Sequence, residues 1–240
     1  GLTGRRPRRG TAGAARRTPN ISAVSITAGS IRVVRALAAA ALAGVAIIGP
    51  LASPAGADGC NDIEVVFARG TGEAPGIGRV GQAFVDSLRG KVGNRSIGTY
   101  GVNYPATYDF LAAADGANDA STFIQNVVNN CPDTRLVLGG YSQGAAIIDV
   151  ITSVPFPAVG FTNPLPANVP DRVAALAVFG NPTAKVGLPL TSSPLYGARA
   201  IDLCNAGDPV CSGGDSVPAH RDYGPSGLTN QAAAFVAGLL

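Results

Sequence analysis

Between residues 136 and 148 an apolar run, Leu136-Val137-Leu138, passes through Gly139-Gly140-Tyr141-Ser142-Gln143-Gly144 and continues as Ala145-Ala146-Ile147-Ile148. The first run suits a strand buried on both faces, and the second suits the opening of a helix. A chain that goes from strand to helix across so few residues must turn sharply. Gly140 and Gly144 are needed there because a Cβ at either would collide with the neighbouring strand or helix. Such a turn lifts the serine between them clear of the backbone. A buried strand feeding directly into a covering helix is the unit of a parallel sheet, so this one segment already argues for an α/β fold.

The rest of the chain repeats the alternation. Short apolar runs at residues 63–68, 99–103, 135–139, 173–179 and 200–203 read as strands, and helix-compatible segments fall at 80–92, 117–130, 145–153 and 229–240. Together they predict a three-layer α/β sandwich around an open, mostly parallel, five-stranded sheet. Residues 155–171 hold five prolines and read as a surface loop. There is no internal repeat and no coiled-coil heptad. In such a sheet the active groups gather where loops converge at the carboxyl ends of the strands.

Charge divides the chain into two parts. Eight of the eighteen basic residues precede residue 36, and every acidic residue lies at or after Asp58. From Asp58 onward ten basic residues face fifteen acidic ones, 10 − 15 = −5, which removes the electrostatic support for nucleic-acid binding. The basic start, the apolar run at 36–48 and the small-residue pattern Ala55-Gly56-Ala57 read as an export address cleaved before Asp58. The run is too short to span a bilayer. Residues 58–240 then form a single domain, and no stable membrane span is expected in it.

All four cysteines lie in that domain, where export would let disulfides persist. Cys204 and Cys211 bracket a turn-rich segment and are paired on that ground, which leaves Cys60 for Cys131. A metal site is not expected: there is no Cys-x-x-Cys and only one histidine.

Gly-x-Ser-x-Gly alone is weak evidence, since roughly 0.25 matches arise by chance in a chain this rich in glycine. Its strand-before, helix-after setting is what makes it a nucleophile elbow. Ser142 then needs a base, and His220 is the only histidine. An acid must hold that imidazole in the right tautomer. Asp202, Asp208, Asp215 and Asp222 all lie in the right region, but Asp208 alone sits in a tight turn between two cysteines, just after a strand. Asp215 is the runner-up. His220 is expected in a loop before the last helix, giving the order Ser, Asp, His along the chain. Oxyanion donors are expected from the backbone N–H of Gln143 and from Thr71, in the loop Arg69-Gly70-Thr71-Gly72-Glu73 after the first strand.

With these residues assembled, the chain from about Cys60 to Leu240 resembles the cutinase family of serine esterases, and most closely its members from mycolate-producing actinobacteria. The resemblance rests on Ala68-Arg69-Gly70-Thr71 with Glu73, on Cys131-Pro132, on Gly139-Gly140-Tyr141-Ser142-Gln143-Gly144, on Cys204-Asn205-x-Gly207-Asp208 with Cys211, and on His220 followed by Tyr223-Gly224. It implies an α/β-hydrolase fold without a lid, nucleophile Ser142, acid Asp208, base His220, oxyanion donors Thr71 and Gln143, and the disulfide pairing already reached. Where fungal members carry a second Thr or Ser after Thr71 this chain has Gly72, which suggests a more mobile loop. The implied activity is hydrolysis of lipid-like carboxylic esters by a secreted, cofactor-free and monomeric enzyme, extracellular or associated with the cell wall. A polysaccharide deacetylase and a non-catalytic wall or lipid-binding protein are the alternatives.

Overall fold

The computed structural model describes residues 59–240; the expected export segment lies outside the described residues. Five strands, β1 (Ile63–Ala68), β2 (Ile97–Gly101), β3 (Arg135–Tyr141), β4 (Val173–Phe179) and β5 (Ala200–Leu203), form one sheet in the order β2-β1-β3-β4-β5. Every pairing is parallel, so the sheet is wholly rather than mostly parallel. The helices are α1 (Gly78–Arg89), α2 (Ala113–Asn130), α3 (Gln143–Ser153), α4 (Pro182–Lys185), α5 (Val217–Arg221) and α6 (Leu228–Ala237).

β1 and β4 are buried along their whole length, as a sheet covered on both faces requires. Alternate residues of β1, β3 and β4 enter two separate cores. Val66, Leu138, Leu176 and Val178 pack with α2 and α3 on one face. Val65, Phe67, Val137 and Phe179 pack with α1 and α6 on the other. In the second core Phe67, Phe84 and Phe179 form a triangle with ring centroids 6.0–6.4 Å apart. Each such pair contributes about 0.5–1.5 kcal/mol beyond the area it buries.

α1 and α3 begin two residues before their expected starts and α6 one, and β2 and α2 begin early for identifiable reasons. β2 starts two residues early because the Asp62 carboxylate accepts from both the N–H and the hydroxyl of Ser96, which sets Ile97 opposite Ile63. Its sequence, Ile-Gly-Thr-Tyr-Gly, is that of a half-exposed edge strand and carries little apolar signal. α2 starts four residues early, through Gly116, which local propensity disfavours. A Cβ there would lie 2.7 Å from Ile147 Cδ1, so the helix keeps a glycine to approach α3 closely. The proline-rich segment 155–171 is irregular up to Pro170, where a 3-10 turn, Pro170–Arg172, begins. It is not wholly a surface loop, since Phe161 and Val169 are buried in the core that α2 and α3 cover. Cys60–Cys131 ties the residue at the end of α2 to the chain just before β1.

Candidate active site

Ser142 sits at φ 57°, ψ −119°, a conformation an L-residue adopts only when its surroundings impose it. Its N–H donates to the Phe179 carbonyl at the end of β4 (2.9 Å), and its own carbonyl accepts from Ala145 N–H (2.9 Å) in the first turn of α3. The two motif glycines answer to different neighbours. A Cβ on Gly140 would overlap the Gly144 carbonyl, and one on Gly144 would overlap the Ala68 carbonyl of β1. The elbow is therefore closed by both α3 and the adjacent strand.

His220 lies in the last turn of α5, not in a loop. Ser216 caps this helix, its hydroxyl accepting from Ala219 N–H (3.3 Å), and Pro218 presets the first turn. At the far end Tyr141, the first x of the motif, donates its hydroxyl to the His220 carbonyl (2.6 Å). Burial pushes that phenol up to about 12, so it remains a donor at any working pH. The imidazole is fixed at both nitrogens: Nε2 lies 2.9 Å from Ser142 Oγ and Nδ1 lies 2.8 Å from Asp208 Oδ2.

Asp208 is fully buried, and its carboxylate accepts three hydrogen bonds: from His220, from Val210 N–H on Oδ1 (2.7 Å) and from the Tyr223 hydroxyl on Oδ2 (2.6 Å). The Cys204–Cys211 disulfide closes the loop around it. Both sulfurs lie near the carboxylate, but being bonded to each other they are not metal ligands. Gly180, at φ +58° after β4, lets the pair form, since a Cβ there would lie 2.9 Å from His220 Cε1 and 3.2 Å from Asp208 Oδ2. The His220 side chain keeps 16% of its surface exposed and Ser142 is half-buried, so the relay opens to solvent on one side. Of the other candidate acids, Asp202 lies within β5 and bonds Asn181 and Leu190 N–H instead of the imidazole.

The loop after β1 is tied at several points. Arg69, almost fully buried, donates to the carbonyls of Glu73, Val102 and Tyr104, with its guanidinium 4.9 Å from the Tyr104 ring. The Glu73 carboxylate accepts from Gly70 and Arg79 N–H. Gly72 stands at φ +78° and donates to Ala106 O (2.8 Å), so the glycine serves a tight turn held across to the β2–α2 connection. Thr71 donates its hydroxyl to Gln143 Oε1 (3.2 Å), and Gln143 Nε2 donates to Thr107 O (3.1 Å). The Gln143 N–H, at the start of α3, has no intrahelical partner. Beyond Thr107, Tyr108, Phe110 and Leu111 are exposed by 83, 62 and 76%, and Val217, one turn before His220, by 52%.

Sequence reading did not find Gly180, the Tyr141 hydroxyl, Arg69 or the contact made by Tyr223. Gly180 follows an apolar strand, a position where a turn glycine attracts no notice. Tyr223 stood out only through the family pattern.

The profile of the Cutinase family matches residues 59–240. The chain belongs to the cutinase family. It is 58% identical over 212 residues to Phospholipase Culp4 of Mycobacterium tuberculosis, covering 88% of this chain and 93% of that one. It is 50% identical over 203 residues to Carboxylesterase Culp1 of Mycobacterium bovis, covering 79% and 89%. Among solved structures, Trichoderma reesei cutinase bound to a phosphonate inhibitor aligns with TM-score 0.63 and 34% identity, over 77% of this chain and 78% of that one. An acetyl xylan esterase aligns with TM-score 0.65 and 27% identity, over 75% and 99%. This cutinase-family chain is thus a serine ester hydrolase with the α/β-hydrolase fold.

Proposed function

We propose that Ser142, His220 and Asp208 are the nucleophile, base and orienting acid of this hydrolase, and that its substrates are lipid-like carboxylic esters. The observation that carries the reading is the continuous relay from Ser142 Oγ through both imidazole nitrogens to a buried carboxylate. As Oγ attacks the ester carbonyl, Nε2 takes its proton, and Asp208 stabilises the imidazolium. The oxyanion is met by the N–H of Gln143 and by Thr71, whose hydroxyl must turn from Gln143 Oε1 toward the new charge. The imidazolium then protonates the departing alcohol, leaving an acyl group on Ser142. Water deprotonated by His220 releases the acid and restores the serine.

A lipid-like acyl or alcohol portion is supported by the exposed Tyr108, Phe110 and Leu111, which follow the Thr107 that binds Gln143, by the exposed Val217 on the helix of His220, and by the phospholipase named among its relatives. The acetyl xylan esterase neighbour supports a second reading, deacetylation of polysaccharide. A chain-length series of nitrophenyl esters with a phospholipid and an acetylated xylan separates the two. Activity rising from acetate to medium chains is expected, and activity confined to acetate would overturn the lipid reading. Ser142→Ala should lower turnover about 10³- to 10⁶-fold with the fold intact. Mass spectrometry should find an organophosphonate label on Ser142, and a labelled protein without it would refute the assignment.

Export is part of the same proposal: residues 1–57 are removed and the 58–240 domain works as a monomer outside the cell or at its wall. Its two disulfides favour an oxidising compartment, and among the described residues no helix is long and apolar enough to cross a membrane. N-terminal sequencing of the secreted protein tests the cleavage before Asp58.

A further inference from the structure

We propose that Tyr223 is a positioning residue of the reaction: its hydroxyl shares Asp208 Oδ2 with the imidazole and so sets how strongly the carboxylate holds and stabilises the histidine. The inference rests on the triad reading above.

Tyr223 is fully buried, between α5 and α6, with its ring packed edge-on against Phe179 (5.7 Å) and Tyr141 (5.8 Å). Its oxygen has three neighbours: Asp208 Oδ2 at 2.6 Å, Asn205 N–H at 3.1 Å and Cys211 Sγ at 3.4 Å. The Asn205 amide can only donate. Cys211 is in a disulfide and has no proton to give. The single phenolic proton therefore goes to the carboxylate, the strongest and nearest acceptor, and the incoming Asn205 bond polarises the hydroxyl toward that donation. Burial and the hydrogen bond to Asp208 hold this phenol far above its ordinary range, so it donates throughout the working pH range.

One carboxylate oxygen thus receives two strong donors, Tyr223 and His220. Charge drawn toward the phenol is withheld from the imidazolium, so the tyrosine moderates the pair as well as anchoring it. The other charged groups are Lys185, bonded to the carbonyl of Pro209 next to Asp208, Arg221, Glu73 and Arg79, which face Tyr141, and, nearby along the chain, Asp222 after α5 and Asp215 before it. A Tyr223→Phe substitution changes none of them.

The test is the pH profile of kcat/KM on a soluble short-chain ester. In Tyr223→Phe, Asp208 loses the competing donor, and the acid limb should move upward by about half to one pH unit. With one of its three bonds gone the carboxylate is held less firmly, and kcat should fall roughly 3- to 30-fold with little change in KM. Replacing Tyr223 by 3-fluorotyrosine keeps the packing and strengthens the donor, so its limb should move downward. Phe84→Leu in the same core is the stability control: it should lower melting temperature without moving the limb. Unmoved limbs in both tyrosine variants, with activity lost only in step with melting temperature as in Phe84→Leu, would overturn the inference. Ser142→Ala in the same assay separates the two readings. If it is inactive while the limbs stay fixed, only the role of Tyr223 falls; if it stays active, the triad itself falls.

Discussion

Two acidic networks, one fully buried and one half-buried, meet at consecutive residues of this molecule and are built in opposite ways. After β4, Gly180 makes room for His220 and Asp208, and Asn181 turns its amide to Asp202. Asp208 is surrounded by three donors. Asp202 and Asp149 have fewer. Asp202 accepts from Asn181 and Leu190 N–H on one oxygen while Oδ1 is buried without a partner, and Asp149 accepts from Thr183. Burial raises both, Asp149 to about 6, with the neighbouring Asp202 charge adding to it. Asp149 and Thr183 line a cavity of about 1040 Å³ between α3, the proline-rich segment and the chain from Leu188 to Tyr196, which touches none of the triad. Burial alone does not fix a carboxylate: the donors around it decide where it points.

The sharpest break between the networks is a matched pair of amides. Asp208→Asn should lower kcat about 10⁴-fold, because the amide favours the wrong histidine tautomer, while circular dichroism remains native. Asp202→Asn should leave kcat within a few-fold of wild type. A large activity loss in Asp202→Asn would mean that the two networks act as one.

The boundary itself is next. A Cβ at position 180 would press on the imidazole and sit at an unfavourable positive φ. Gly180→Ala should therefore lower kcat by about 10- to 100-fold and stability by roughly 1–2 kcal/mol. Denaturation and kinetics on the same preparation check both numbers.

The disulfides extend the contrast. Cys204–Cys211 spans seven positions around Asp208, and Cys60–Cys131 spans seventy-one and joins distant parts of the fold. Cys204→Ser with Cys211→Ser should lose activity at temperatures where the domain remains folded. Cys60→Ser with Cys131→Ser should lower melting temperature by several degrees, the loss being about 2–5 kcal/mol, with activity falling only on unfolding. Equal tracking of activity and unfolding in both variants would erase the distinction.

The smallest effect concerns pH. Because Asp149 is raised in the folded state, the stability it contributes is complete below the ordinary carboxylate range and is lost as pH rises through about 6. Asp149→Asn should make melting temperature less dependent on pH between 4 and 7, by roughly 3–6 °C, without altering the acid limb of activity. A slope unchanged from wild type would show that Asp149 does not titrate in this window.

Sequence by itself pointed to the parallel sheet, the elbow, the Cys204–Cys211 disulfide and Asp208 through local pattern, and to His220 and Cys60–Cys131 by elimination, as the only histidine and the remaining cysteine pair. β4 is legible as a continuous apolar run, β1 and β5 as apolar runs interrupted once, by Glu64 and Asp202, the elbow as glycines at fixed spacing, and Asp208 as the acid in a cysteine-closed turn. Tertiary structure alone decided the rest. The start of β2 depends on Asp62 reaching Ser96, and the start of α2 on Gly116 meeting Ile147, pairs 34 and 31 residues apart. α5 forms because one turn of helix, capped by Ser216, is held by the Tyr141 hydroxyl from β3. Tyr223 and Gly180 matter only through atoms brought to them by other elements. Propensity and pattern report what a residue does to its neighbours along the chain, whereas hydrogen bonds and steric limits between distant segments exist only once the sheet has brought those segments together.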